Sequence, residues 1–251
     1  MKLILLGTGG YYPTAQRQTA CLLLPEIGVV LDAGSGIGRL REYLQTPGLD
    51  IFLTHAHLDH VIGLTYMLTA VPPEVLQQTT VHGTAAKLQA VREHLFDPAI
   101  FPIEPKFRQF KQLDDAPQLS IGGAGGGTLT HFPLVHPSGS VGFRLDWPGR
   151  SMAYVTDTTA AVGADYIEAI RGVDLLVHEC YFADNALDLP AVTGHSWLLP
   201  VAEVAADAKV GRLVLVHIGP HYASTDAFDL AAARRVFENV EIGADRMVLE
   251  F

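Results

Sequence analysis

Eleven short runs of aliphatic and β-branched residues punctuate this chain, and most of them stop at or beside a histidine or a carboxylate. The runs are Leu3–Leu6, Ala20–Leu24, Val29–Leu31, Asp50–Thr54, Thr79–His82, Thr128–Leu134, Val141–Leu145, Met152–Thr156, Leu175–His178, Arg212–His217 and Arg246–Glu250. Their length and composition predict strands. Apolar residues at three- and four-residue spacing predict helices over Gly36–Gln45, His60–Ala70, Thr84–Leu95, Tyr166–Arg171, Leu198–Ala208 and Asp226–Phe237. Early strands follow one another as in hairpins, whereas later ones are separated by helices. That order predicts an α/β chain of sheet layers packed face to face with helices outside. No shift in composition marks a boundary, so residues 1–251 read as a single domain.

Several function classes fall away on composition. The chain has 251 residues, 49% of them hydrophobic and 18% charged, which supports an ordered core rather than a disordered segment. Lysine and arginine total 17 against 27 aspartate and glutamate, a net charge of −10, and no broad basic face for a polyanion is expected. Cys21 and Cys180 form no C-x-x-C pair and no disulfide framework. With only Leu3–Leu6 before Gly7 and no long apolar span, neither a signal peptide nor a membrane segment is expected, and the chain reads as cytoplasmic. Two irregular stretches, 96–105 with three prolines and 121–127 with five glycines, read as loops. Neither that glycine run nor Gly7-Thr8-Gly9-Gly10 has the strand-to-helix context of a phosphate or dinucleotide loop.

The chemistry concentrates in Thr54-His55-Ala56-His57-Leu58-Asp59-His60, directly after a buried run. In an extended segment residues two apart share a face, so His55 and His57 can offer two imidazoles to one ion. Where the chain turns toward a helix, Asp59 and His60 project to a second position, with an oxygen and a nitrogen of the kind zinc accepts. Other runs supply more: Thr128–Leu134 leads to His136, Met152–Thr156 to Asp157, Leu175–Val177 to His178-Glu179, and Arg212–Val216 to His217. Convergence of separate strand ends is the pattern of a site at the carboxyl edge of an α/β layer.

In that order, His55, His57, Asp59, His60, His136, Asp157 and His217 resemble the motifs of the metallo-β-lactamase fold hydrolases, over essentially the whole chain. Leu6-Gly7-Thr8-Gly9-Gly10 with Pro13-Thr14 and Arg17, Asp32-Ala33-Gly34, His178-Glu179, Thr193-Gly194-His195-Ser196 and His217-Ile218-Gly219-Pro220-His221-Tyr222 are similar to the ribonuclease Z-like branch. The resemblance implies a four-layer αββα sandwich of two mixed sheets, and two divalent metals, zinc foremost, with manganese and iron compatible. It implies that His55, His57 and His136 hold the first metal and that Asp59, His60 and His217 hold the second. Asp157 would bridge both together with a hydroxide, and Asp32 would lie behind the ligands. Asp59, His195 and Glu179 are the implied catalytic groups, His195 protonating the leaving oxygen with Glu179. Ser196 alone could cap the helix that follows, which is the structural alternative for this segment. His178 and His94 read as structural, and His131 and His82 have no family counterpart.

Departures from the branch bear on substrate. In tRNA-processing members a long basic arm separates the segments that resemble His136–Arg144 and Tyr154–Thr158, and here only 145–153 lies between them. The arginine of the branch's terminal motif is replaced by His221. The expected activity is therefore that of a phosphodiesterase acting on a small phosphodiester, a cyclic or linear nucleotide or a sugar phosphate, with no extended nucleic-acid surface and no membrane. Alternatives are a lactone, thioester or β-lactam hydrolase on the same dimetal site, or a tRNA 3′-processing endonuclease. A vestigial binding module would lack a ligand, and a mononuclear iron oxidoreductase would lack the counterpart of His60. A homodimer is compatible with the branch. Candidate pocket loops are 11–17, 67–73 and 181–193.

Overall fold

The computed structural model describes residues 1–122, 126–183, 189–222 and 224–251. Part of the glycine-rich stretch (123–125) and part of the candidate loop 181–193 (184–188) lie outside the described residues. The chain divides into two compact units, Met1–Gly126 with Ala244–Glu250 and Gly127–Gly243 with Phe251. Among the described residues, fourteen strands form two mixed sheets of seven. No helix among those residues is long and apolar enough to cross a membrane.

In the first unit the strands are β1 (Lys2–Gly7), β2 (Cys21–Leu24), β3 (Val29–Leu31), β4 (Asp50–Phe52), β5 (Thr80–Gly83), β6 (Gln109–Gln112) and β7 (Gln118–Ile121). The second unit holds β8 (Gly127–Leu134), β9 (Ser140–Trp147), β10 (Arg150–Val155), β11 (Leu175–Glu179), β12 (Arg212–Val216) and β13 (Val240–Ile242), after which β14 (Val248–Glu250) returns to the first unit. The first sheet runs β14-β1-β2-β3-β4-β5-β6. Its β1–β2 and β2–β3 pairs are antiparallel, and β3 through β6 are parallel. In the second unit β8, β9 and β10 pair antiparallel, and β10 through β13 are parallel. Parallel neighbours end at the same edge, so the segments after β3 and β4 leave one sheet together, as do those after β10, β11 and β12 from the other.

Each unit packs one sheet face under helices. In the first, Leu6, Leu23, Val30, Ile51 and Val81 meet Ile37, Leu40, Leu64, Met67, Leu88 and Val91. In the second, Val155, Leu176, Leu213 and Leu215 meet Ile167, Ile170, Leu198, Val201 and Ala205. Strand residues of the opposite parity, such as Leu3, Leu5, Leu22, Leu24 and Leu31, are buried as well. Burial on both faces is why these runs read as nearly continuous apolar stretches. Cys21 and Cys180 are buried and reduced, and burial pushes the Cys21 thiol well above its ordinary range.

The helical expectations needed revision in detail. The predicted helix His60–Ala70 begins earlier and is broken into α-helix Leu58–Val61, 3₁₀ turn Ile62–Tyr66 and α-helix Met67–Ala70. The cause sits at Gly63, whose N–H donates to Ala33 O at 2.8 Å rather than up the helix, and whose Cβ position would fall 2.2 Å from Gly34 O. Gly36–Gln45 is a 3₁₀ helix over Ser35–Glu42, and Thr84–Leu95 is α-helical to Ala90 and π-helical over Val91–Leu95. β6, β7 and β13 were not expected. They are three or four residues long, β6 and β7 largely polar and β13 (Val240-Glu241-Ile242) too short for its alternation to register, and β6 and β13 are edge strands.

Candidate metal centre

The first unit delivers its site residues from β3, β4 and the turn after β4. β3 ends at Leu31, and Asp32 follows in the left-handed region (φ 59°), a backbone state that non-glycine residues rarely adopt and that ends the strand abruptly. Asp32 is fully buried. Its carboxylate accepts from the Thr54 N–H (2.8 Å) and Oγ1–H (2.9 and 3.0 Å) and lies 2.8 Å from His60 Nδ1. Because a carboxylate only accepts, His60 Nδ1 carries the proton and Nε2 carries the lone pair. The Thr54 hydroxyl, its proton given to Asp32, accepts from His55 Nδ1 at 3.1 Å. One buried carboxylate thus sets the tautomers of two imidazoles, His60 directly and His55 through Thr54. The expected place of Asp32 behind the motif is what the geometry shows.

The motif itself clusters. The His55 and His57 rings lie 4.4 Å apart, and His55 and His60 4.3 Å apart, centroid to centroid. Asp59 Oδ2 lies 3.5 Å from His60 Nε2 and accepts from the Tyr11 N–H at 2.7 Å. The turn is pinned from below: Ala33 N–H donates to His60 O, and a Cβ on Gly34 would fall 2.2 Å from Asp59 O.

In the second unit Asp157, Glu179 and His217 stand at the carboxyl ends of β10, β11 and β12, and His136 follows β8. Asp157 (φ 53°) and His217 (φ 56°) repeat the left-handed turn of Asp32. His136 Nε2 lies 3.8 Å from Asp157 Oδ1, and His217 Nε2 3.5 Å from Asp157 Oδ2. His136 Nδ1 donates to Gly194 O at 3.2 Å, again leaving Nε2 with the lone pair. Burial pushes the His136 imidazole below its ordinary range against the pull of Asp157, which favours the neutral, ligating form.

Glu179 is fully buried and accepts from Thr158 N–H (2.8 Å), Ser196 N–H (3.2 Å) and His195 Nδ1–H (3.2 Å). The His195 ring stacks on Tyr181, centroids 4.6 Å apart and planes 15° apart, and its Nδ1 is 3.9 Å from Asp157 Oδ1. Asp157, His195 and His217 also form a set whose ligand-type atoms lie within 4.8 Å of one another. Ser196 does not cap the helix Leu198–Asp207. Its hydroxyl donates to Thr158 O (2.6 Å) and accepts from Ala160 N–H (2.9 Å), so the capping alternative fails and the turn serves to place His195.

These residues fit a divalent metal. Two ligands at about 2.0–2.1 Å from a tetrahedral ion lie about 3.4 Å apart. The Nε2-to-oxygen distances of 3.5 Å for His60–Asp59 and His217–Asp157 match that spacing and exceed a good hydrogen bond. Neutral imidazoles with Nε2 lone pairs beside carboxylates are the donor set that zinc, manganese or iron accepts.

Other histidines fall elsewhere. His178 Nδ1 donates to Glu179 O at 2.8 Å and Nε2 accepts from the Tyr166 hydroxyl at 2.9 Å, the structural role expected of it. Burial pushes its pKa down and that of the Tyr166 phenol up. His82 Nε2 pairs with Asp50 at 2.7 Å and stacks on Phe52, again a structural role. His94 lies in the π-helical segment and His131 in β8. Sequence reading missed Tyr181 as the plate under His195. It also missed Asp245, which accepts from Thr8 N–H and Oγ1–H, Gln18 N–H and Arg39 and so fixes the loop bearing Tyr11. Asp245 sits in no motif, and only the fold brings it 237 residues back to Thr8.

A family model described as the β-lactamase superfamily domain matches residues 28–218. The chain belongs to this superfamily and is a metal-dependent hydrolase. Ribonuclease Z of Methanosarcina mazei is 26% identical over 302 aligned positions, spanning 100% of this chain and 98% of that protein. The fold is that of the metallo-β-lactamase proteins: YhfI of Bacillus subtilis superposes with a TM-score of 0.77 at 21% identity, covering 100% and 99% of the two chains. A diphosphatase from the PhnP family gives a TM-score of 0.73 at 19% identity, covering 100% and 97%.

Proposed function

We propose that this chain is a binuclear phosphodiesterase for small phosphodiesters, in which His55, His57 and His136 would hold one metal, Asp59, His60 and His217 would hold the other, and Asp157 would serve both. Bound there, two divalent ions supply an activated water and a clamp for the anionic oxygens of the substrate. The protein's own part is orientation and proton transfer. Asp32 keeps His55 and His60 in the ligating tautomer. Glu179 holds His195 by Nδ1 and Tyr181 fixes its ring plane, so Nε2 is the nitrogen from which a proton can pass to a leaving alkoxide.

The observation that carries the phosphodiester reading is this Glu179–His195 pair beside Asp157. Lactone and β-lactam cleavage can proceed on the metals alone, whereas an alkoxide leaving from phosphorus gains from a positioned acid. The names of the ribonuclease Z relative and the PhnP-family diphosphatase agree with phosphoryl chemistry.

A small substrate is favoured by what lies between His136–Arg144 and Tyr154–Thr158. β9 and β10 pair Trp147 with Arg150, so Pro148-Gly149 is the entire turn, with Gly149 at φ 76°. In the alignment with ribonuclease Z, 302 positions against 251 residues leave at least 51 at which the relative has residues and this chain has none. His221 in place of arginine and the net charge of −10 point the same way. The test is hydrolysis of bis(p-nitrophenyl) phosphate, an activated lactone and a precursor tRNA by metal-loaded protein and by His195→Ala. Turnover of the small diester, reduced about 10²- to 10⁴-fold in the variant and absent on tRNA, is expected. Lactone cleavage untouched by His195→Ala with no diester turnover would replace this reading with the lactonase one.

A further inference from the structure

Asp245 lies in the turn before β14, its side chain is only 6% exposed, and four donors converge on it. Oδ1 accepts from the Thr8 N–H (3.0 Å) and Oγ1–H (2.7 Å), and Oδ2 accepts from the Gln18 N–H (2.6 Å) and the Arg39 guanidinium. A carboxylate has about four lone-pair sites, and these donors fill them. The backbone seats the group against β1: Leu5 N–H donates to Met247 O (3.0 Å) and Arg246 N–H to Leu5 O (2.7 Å). Arg39, which balances the buried charge, also donates to Leu6 O at 2.8 Å.

Thr8 and Gln18 are the two ends of the segment 8–18, so one carboxylate closes that segment into a strap. Gly9 N–H donates to Gln18 O (2.8 Å) and the Arg17 guanidinium to Thr8 Oγ1, which tightens the same closure. Tyr11, inside the strap, has a φ of 67°, a state a tyrosine keeps only where its surroundings over-determine it. What that state delivers is a backbone donor at the metal motif, since the Tyr11 N–H donates to Asp59 Oδ2 at 2.7 Å. An oxygen that accepts one N–H keeps a second lone pair, and the hydrogen bond fixes the rotation of the carboxylate.

We infer that Asp245 is a positioning residue for Asp59: it closes the strap at its base, and the strap aims the Tyr11 N–H that holds the Asp59 carboxylate in its ligating orientation. The inference rests on the reading above, which makes Asp59 a ligand of one ion only. Asparagine at 245 would keep one accepting oxygen and turn an NH₂ on two donors, so either the Thr8 end or the Gln18 end of the strap is released. The effect then reaches one ion and spares the other, whereas loss of a merely structural contact would loosen the whole unit.

The test is zinc titration of metal-free protein against a competing chelator, for wild type, Asp245→Asn and the milder Thr8→Val, each also in an Asp59→Ala background, with circular dichroism to establish folding. Asp245→Asn should weaken one ion by about 10- to 100-fold and leave the other within about twofold, and Thr8→Val, which removes one of the four donors, should weaken the same ion less. In the Asp59→Ala background neither substitution should move the affinity of the remaining ion by more than about twofold. Weakening of both ions, weakening of the ion that Asp59→Ala retains, or wild-type affinities in folded Asp245→Asn overturns the inference. Thr8→Val decides by the same criteria if Asp245→Asn does not fold. Failure of the phosphodiesterase reading registers separately, as no turnover of bis(p-nitrophenyl) phosphate by wild type with both ions bound.

Discussion

Replacing Asp32 with asparagine should weaken metal binding although Asp32 itself is offered to no metal. The carboxylate faces three donors: the N–H and Oγ1–H of Thr54, and His60 Nδ1–H. Asparagine keeps one accepting oxygen and puts an NH₂ where the second oxygen was. That NH₂ either meets a donor head-on or forces His60 to present Nδ1 as acceptor, which moves the imidazole proton to Nε2 and removes the ligating lone pair. If it turns instead toward Thr54, the hydroxyl loses its acceptor and His55 its partner. Either outcome leaves a fully buried polar group unsatisfied, at about 1–3 kcal/mol. Loss of such an outer partner lowers metal affinity about 10- to 100-fold, which is about 1.4–2.7 kcal/mol. Zinc affinity measured by competition with a chelator, with circular dichroism to establish folding, reads this directly. A folded Asp32→Asn protein whose zinc affinity stays within about twofold of wild type refutes the argued control of tautomer.

Two further substitutions probe the supporting structure. Gly34→Ala places a methyl 2.2 Å from the backbone oxygen of Asp59, so the motif turn must shift; reduced metal content with strand structure retained is expected, and metal content equal to wild type would show the turn to be compliant. Tyr166→Phe removes the donor to buried His178 Nε2 and should cost about 1–3 kcal/mol in urea unfolding. Because burial holds the folded-state pKa of His178 below its unfolded value, this residue's contribution is fully present above the unfolded pKa and is lost as pH falls through about 6.5 toward the folded value. The urea midpoint should therefore drop as pH falls from 7 to 5, and replacing His178 with glutamine should flatten that slope; an unchanged slope contradicts the assignment.

Much of the architecture was legible because the parallel strands are apolar on both faces and stop at polar residues. His55, Asp157, Glu179 and His217 each follow such a run, His136 follows the antiparallel β8, and the fold brings the ends of β3 and β4, and of β10, β11 and β12, to common edges. What escaped depends on contacts that no local pattern encodes. The break in the helix after His60 comes from Gly63 bonding back to Ala33, and a continuous apolar period hides it. Asp245, Thr54 and Tyr181 act by touching residues far along the chain or by filling a hydrogen bond that depends on a tautomer. β6 is an edge strand whose polar residues look like loop, and β13, three residues long, is too short to carry a pattern. Ser196 reads as a cap from its place before a helix, yet its hydroxyl is spent on Thr158 and Ala160.

The binuclear centre is the central claim, and metal stoichiometry measured on the same samples as diester turnover tests it most directly. Wild type should carry about two divalent ions per chain and hydrolyse bis(p-nitrophenyl) phosphate, and Asp59→Ala should fall to about one ion and lose turnover. A fully active wild type with one ion per chain, or an Asp59→Ala protein that keeps both ions and its rate, would contradict the account.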